Sequence, residues 1–228
     1  MAQHVSAAVY GHSRAILRGV ASPPRPSWLY LVVGGVSWPV VKIVFRHRAT
    51  GIEHLPATGG FVLAANHWSN FDPWPLAIPV FPRRFFRFMA KSELFWFPPS
   101  LVITAGGGFR VRRGEQDEEA IETAIRLARD GHAVVMFPEG TRREKGLRKK
   151  HEARWRTGAA RIALEAGVPL VPAGIAGTEQ LARLGPLRVA YGPAIDVRDL
   201  VELPNGEAAV VATERLAEAV RELERIVG

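Results

Sequence analysis

The chain of 228 residues contains no cysteine. That absence excludes disulfides, thiolate metal sites and a cysteine nucleophile. Its seven histidines lack zinc-site spacing, and no His-Glu-x-x-His pair occurs, so no metal is expected. A phosphate-cradling Gly-x-x-x-x-Gly-Lys-Ser/Thr loop and a Gly-x-Ser-x-Gly nucleophile elbow are also missing. There is no internal repeat, low-complexity tract or convincing linker. At this length, 47% apolar residues suffice for the core of one compact domain. Acidic residues are scarce in the first half. Residues 1–114 hold 3 Asp/Glu against 13 Lys/Arg, whereas residues 115–228 hold 19 against 17. A front half with that balance suits an anionic partner, either nucleic acid or an anionic lipid surface.

The next feature favours lipid. From Trp28 to Phe45 the run WLYLVVGGVSWPVVKIVF carries one charge, Lys42. It lies near the lower limit of roughly 17–25 residues needed to span a bilayer. Gly34, Gly35 and Pro39 interrupt it, and Trp28, Tyr30 and Trp38 are residue types that settle at a headgroup boundary. Monotopic insertion is therefore favoured over a full span or an ordinary buried helix. The following RHRATG does not resemble a signal-peptide cleavage site. Further on, Arg83, Arg84, Arg87 and Lys91 interleave with Phe81, Phe85, Phe86 and Phe88. This pattern fits either a second membrane-facing patch or a basic strand whose aromatics enter the core.

From residue 50 the pattern alternates between α and β. Apolar runs at 61–65, 133–137 and 168–175 read as buried strands, with another at 187–191. Helical patterns lie between them at 73–80, 115–130 and 157–166, and an amphipathic helix covers 206–227. The expected fold is α/β, with a mixed, largely parallel central sheet flanked by helices.

His67 and Asp72 stand at the end of the apolar run FVLAAN. A strand ending at Asn66, a tight turn and a helix starting near Ser69 would let Asp72 swing back to the imidazole. One ring nitrogen would then bond the carboxylate and leave the other free as a general base. The competing reading makes Asp72 part of a helix capping box with Ser69 and leaves His67 a satisfied polar residue. Glu139, Gly140, Thr141 and Arg142 end a second strand, where open α/β sheets collect ligands. There Arg142 offers a planar fork for phosphate oxygens. The segment GGGFRVRRG (106–114) fails the dinucleotide fingerprint because Val111 stands in the third glycine position. It reads instead as a flexible loop delivering Arg112 or Arg113 towards an anion.

These clusters, in this order, resemble the glycerophospholipid acyltransferase superfamily, most closely the 1-acylglycerol-3-phosphate acyltransferases. NHWSNFD resembles the first family block, GGFRVRR the second, FPEGTR the third and VPLVPAG the fourth, and the similarity covers residues 50–192. The resemblance implies that His67 takes the proton from an acceptor hydroxyl as it attacks an acyl thioester, with Asp72 holding the imidazole. It implies that Gly108, Phe109 and Arg113 bind the acceptor, that Glu139, Gly140, Thr141 and Arg142 complete a phosphate site, and that Val171 and Pro172 shape the acyl pocket. No cofactor is implied; the co-substrate is an acyl-coenzyme A or acyl-carrier-protein thioester. The implied partners are an anionic phospholipid membrane and a lysophospholipid acceptor, 1-acylglycerol 3-phosphate giving phosphatidic acid, and no nucleic acid. Residues 1–48 would form an N-terminal membrane-associating helical segment and residues 49–228 the α/β acyltransferase domain, held at the cytoplasmic face of the cell membrane. The stretch after FPEGTR is longer and more basic than the family pattern, and the one before the second block is shorter. Another lysolipid, glycerol 3-phosphate or a glycolipid therefore stays open as acceptor. A non-catalytic membrane or nucleic-acid binder is the reading from a different class.

Overall fold

All five residues of the strand Phe61–Ala65 are fully buried, and the sheet is built around them. The computed structural model describes residues 26–111, 117–139, 155–200 and 202–228. In it β1 (Arg48–Thr50), β2 (Phe61–Ala65), β3 (Phe86–Lys91), β4 (Gly108–Val111), β5 (Ala133–Met136), β6 (Leu170–Ala176) and β7 (Arg188–Tyr191) form one sheet. The strand order is β1-β7-β6-β2-β5-β3-β4. Every pairing is parallel except that of β6 with β7. β2 lies between β5 and β6 and is covered on both faces, so an uninterrupted apolar run, not an alternating one, is what its position requires.

Side chains leave β2 on alternate sides. Val62 and Ala64 face a core shared with helices Asp117–Arg129, Gly158–Ala166 and Asn205–Val227. Phe61, Leu63 and Ala65 face a second core with Leu55, Leu76 and Val80. In chain order the helices are α1 (Trp28–Pro39), α2 (Pro73–Ala77), α3 (Pro99–Ala105), α4 (Asp117–Arg129), α5 (Gly158–Ala166) and α6 (Asn205–Val227). α6 buries Ala208, Ala212, Leu216, Val220, Leu223 and Val227, a stripe at helical spacing. It lies so close to β6 that a Cβ added to Gly174 would sit 2.6 Å from the Leu223 carbonyl carbon.

Three expectations change. The glycines of 106–108 do not form a flexible loop. Gly107 turns the chain at φ +98°, and Gly108 and Phe109 begin β4, paired with Phe88 and Met89. A Cβ on Gly108 would meet Ile103 of α3 at 2.5 Å, so the glycine permits close helix–strand packing. The helix expected from Ser69 starts at Pro73 instead. The basic-aromatic segment resolves as strand β3 and its approach, with Phe86 buried and Arg84 lying over the Phe61 ring at 5.2 Å.

The apolar run before β1 divides into α1, started by Ser27 accepting from the Tyr30 amide, and a π-helical turn over Val40–Val44. Among the described residues no helix is long and apolar enough to cross a membrane. The segment is fastened to the sheet domain by polar contacts: Trp74 donates to Ser37 Oγ (3.1 Å) and Tyr30 to the Arg84 carbonyl (3.3 Å). The His47 ring nitrogen Nε2 donates to the Pro75 carbonyl (3.1 Å). Its outer face is strongly apolar: Trp28, Val32, Val36 and Ile43 are each more than half exposed.

Replacing Gly174 by Ala should lower unfolding stability by about 1–3 kcal/mol in denaturant titration, because the added methyl has to displace α6 backbone. His47 supplies a pH dependence. Burial, reinforced by Lys42, lowers its pKa from 6.5 to about 4. The folded state thus refuses a proton that the unfolded chain accepts, so the contribution is complete above pH 6.5 and is lost as pH falls towards 4. It amounts to roughly 3 kcal/mol at most. In His47→Gln, which keeps a donor for Pro75 without titrating, stability should change less over that pH interval.

Candidate active site

The carboxyl ends of β2, β5 and β6 meet at one edge of the sheet, and the chemistry gathers there. β2 runs into Asn66, whose amide clasps β6 at both ends of one residue. Asn66 Nδ2 donates to the Ile175 carbonyl (2.9 Å), and the Ile175 amide donates to Asn66 Oδ1 (2.8 Å). The chain then leaves the sheet, and residues 67–72 form a tight loop before α2.

In that loop His67 and Asp72 are in contact, with Nδ1 to Oδ2 at 2.7 Å. The same Oδ2 accepts the amides of Trp68 (2.7 Å) and Ser69 (2.9 Å), and Oδ1 accepts the hydroxyl of Thr178 (2.5 Å). Asp72 is fully buried. It stands at the start of α2, yet its side chain makes no capping bond. The reach of the carboxylate back to the Ser69 amide is the bond a capping box would make, but the helix begins only at Pro73 and the same oxygen also holds His67, so Asp72 serves the loop and the imidazole together. An ionised carboxylate only accepts, so Nδ1 carries the proton and Nε2 keeps its lone pair. The His67 side chain retains 16% exposure, and Phe137, just past β5, stacks on it at a centroid distance of 4.2 Å. The imidazole is thus held at one nitrogen and over one face, and its other nitrogen remains available for proton transfer.

The other expected residues fall at varied distances from this centre. Glu139 is buried and lies two residues beyond Phe137 at the same edge of the sheet. Gly140, Thr141, Arg142 and Arg113 lie outside the described residues. Gly108 and Phe109 are buried in β4, and Phe109 packs in the core shared with α4, α5 and α6. Val171 is fully buried beside Leu63. Pro172 lines a cavity of about 800 Å³ that also touches Gly51, Gly192 and Leu223. That cavity opens where β1 and β7 end, at the opposite edge of the sheet from His67. Among the described residues no cluster of three or more His, Cys, Asp or Glu side chains could hold a metal. Sequence reasoning missed Thr178, Phe137 and the clasp of Asn66. Phe137 and Thr178 come from segments remote in the chain, just past β5 and β6, and Asn66 bonds to a remote strand; only the strand-end position of Asn66, beside His67, was a usable signal.

Comparison with known proteins identifies the family. Residues 46–176 match the family model described as "Acyltransferase". The chain is 33% identical over 178 residues to the 1-acyl-sn-glycerol-3-phosphate acyltransferase of Bacillus subtilis, covering 75% of this chain and 85% of that protein. It is 31% identical over 143 residues to the enzyme of the same name from Haemophilus influenzae, covering 60% of this chain and 56% of that one. The crystal structure of the 1-acyl-sn-glycerophosphate acyltransferase of Thermotoga maritima superposes with a TM-score of 0.59 at 25% identity, over 86% of this chain and 78% of that one. With the histidine–aspartate pair at the strand edge and these likenesses across the sheet, the chain belongs to the glycerophospholipid acyltransferase family, of the 1-acylglycerol-3-phosphate acyltransferase type.

Proposed function

We propose that the protein moves a fatty acyl group from an acyl thioester to the free hydroxyl of 1-acylglycerol 3-phosphate, giving phosphatidic acid. The observation that carries this reading is the 2.7 Å contact between His67 and a fully buried Asp72. Nε2 of His67 takes the proton from the acceptor hydroxyl while that oxygen attacks the thioester carbonyl carbon. The tetrahedral intermediate collapses by breaking the carbon–sulfur bond, and the imidazolium returns its proton to the departing thiolate. The products are an ester and a free thiol, and nothing else is consumed. Asp72 holds the neutral imidazole in the required tautomer and stabilises the imidazolium once formed. No enzyme nucleophile is needed, because the substrate supplies the hydroxyl.

Arg113 and Arg142 are proposed to meet the acceptor phosphate, with Glu139, Gly140 and Thr141 shaping that corner and Gly108 and Phe109 supporting it from β4. Guanidinium forks match phosphate oxygens two at a time, which suits the task. An acyl-pocket role for Val171 and Pro172 has less support. The first is sealed in the core, and the second faces a cavity at the far edge of the sheet.

The enzyme is further proposed to sit on an anionic membrane surface at its cytoplasmic face, inserted but not spanning. Support comes from the exposed apolar face of α1 and from Phe71 and Trp74 beside the dyad, both at least 40% exposed and stacked at 6.0 Å. Trp96, Phe97, Leu101 and Val102, leading into and along α3, add four more exposed apolar side chains. The basic front half would gather anionic acceptor at the same surface.

His67→Ala should abolish acyl transfer and lower stability by about 1–3 kcal/mol in denaturant titration without unfolding the protein, since the buried Asp72 carboxylate keeps three of its four donors. Asp72→Asn should lower kcat by about 100-fold or more by releasing the imidazole from its tautomer. Wild-type turnover in purified His67→Ala would sink the mechanism. Arg113→Ala or Arg142→Ala should raise the KM for a phosphate-bearing acceptor about 10-fold or more. If KM is unchanged in both, turnover with a panel of lysolipids, glycerol 3-phosphate and glycolipids identifies the acceptor instead. Replacing Val32, Val36 and Ile43 together by Ser should weaken flotation with anionic vesicles.

A further inference from the structure

We propose that Thr178 is a positioning residue for acyl transfer: its hydroxyl ties the Asp72 carboxylate to strand β6 and so fixes the direction in which His67 presents its base. The inference rests on the reading of His67 as that base. The donors to Asp72 divide into two kinds. Those on Oδ2 come from His67, Trp68 and Ser69, all within the loop that Asp72 itself closes. A rigid rotation of this loop would carry all of them along without loss. Thr178 reaches Oδ1 from a position 106 residues away in the chain. It is therefore the hydrogen bond that refers the Asp72 carboxylate to the sheet, beside the stacking of Phe137 on the imidazole.

The surrounding backbone is arranged for this contact. The clasp between Asn66 and Ile175 sets β2 and β6 in register one residue before His67 and three before Thr178. Gly177 then takes φ +96°, a left-handed turn that brings Thr178 beneath the carboxylate. A side chain there is doubly disfavoured, because its Cβ would lie 2.2 Å from the Pro186 carbonyl oxygen. Thr178 itself is buried. Its branched Cβ leaves few χ1 choices, so the hydroxyl stays directed at Asp72. Without that hydroxyl, Oδ1 becomes a buried acceptor with no partner from β6, and the carboxylate regains rotation about its Cβ–Cγ bond. The imidazole bonded to Oδ2 would follow that movement, and proton transfer is sensitive to small errors of direction.

The test compares Thr178→Val, which keeps shape and removes the donor, with Thr178→Ser, which keeps the donor. Both are assayed in the full chain at saturating acyl thioester and acceptor, alongside thermal unfolding. Thr178→Val should lower kcat about 10-fold or more with KM for both substrates within about twofold of wild type. Thr178→Ser should restore most of the loss. On an Asp72→Asn background Thr178→Val should cost nothing further, because both changes act through the same imidazole. If Thr178→Val fails to fold, Thr178→Ala is measured in its place. Wild-type kcat in the donor-less variant, a loss that serine does not restore, or losses that multiply with Asp72→Asn would each overturn the proposal. An active His67→Ala enzyme would instead overturn the base itself, so the two failures are distinguishable.

Discussion

Asp72 is sealed from water, so its carboxylate has to be satisfied by the protein alone, and much of the site follows from this. A buried ionised group without partners would cost several kcal/mol. Here two loop amides, the imidazole N–H and a threonine hydroxyl converge on its two oxygens. The loop from 67 to 72 has its shape because its amides turn inwards to that charge. The same arrangement sets the tautomer of His67. A solvated carboxylate could attract the imidazole, but water would compete for it and the ring would not be held to one orientation.

The sheet gives this constellation a fixed frame. β2 contributes the histidine, the segment after β5 an aromatic plate against the ring, and the segment after β6 the hydroxyl under the carboxylate. All three strands run parallel and end at the same edge. β7 runs the other way, so it and β1 deliver their ends, and the cavity they help line, to the opposite edge. The apolar helix α1 is joined close to the chemistry, since Trp74 bonds to Ser37 only two residues after Asp72. The exposed apolar segment and the loop that carries the dyad thus share a joint.

The dyad was legible in the sequence because a histidine and an aspartate of short separation follow an apolar run, and a turn after the strand brings them together. The parallel strands were legible for the same kind of reason: FVLAA and AVVM have the composition of doubly covered strands. The loop itself was read too helically. Ser69 suggested a cap, but the backbone amides are drawn to Asp72 and the helix waits for Pro73. The triple glycine at 106–108 suggested flexibility, because intrinsic strand preference is low for glycine. Its actual reasons are a left-handed turn at Gly107 and, at Gly108, the approach of Ile103 from the packed helix α3. Thr178 is harder still. It looks like any threonine after a glycine, and its partner lies in a loop 106 residues earlier.

The clasp of Asn66 on Ile175 has a consequence for how the molecule is made. During synthesis the loop at 67–72 emerges well before β6, so its carboxylate can collect the imidazole and two amides at once but has to wait for the Thr178 hydroxyl. β2 remains without its β6 neighbour until the later strand arrives. The loop that carries His67 therefore gains its tie to the far strand only in the last third of the chain, and a fragment ending before β6 would hold the base without its outer brace.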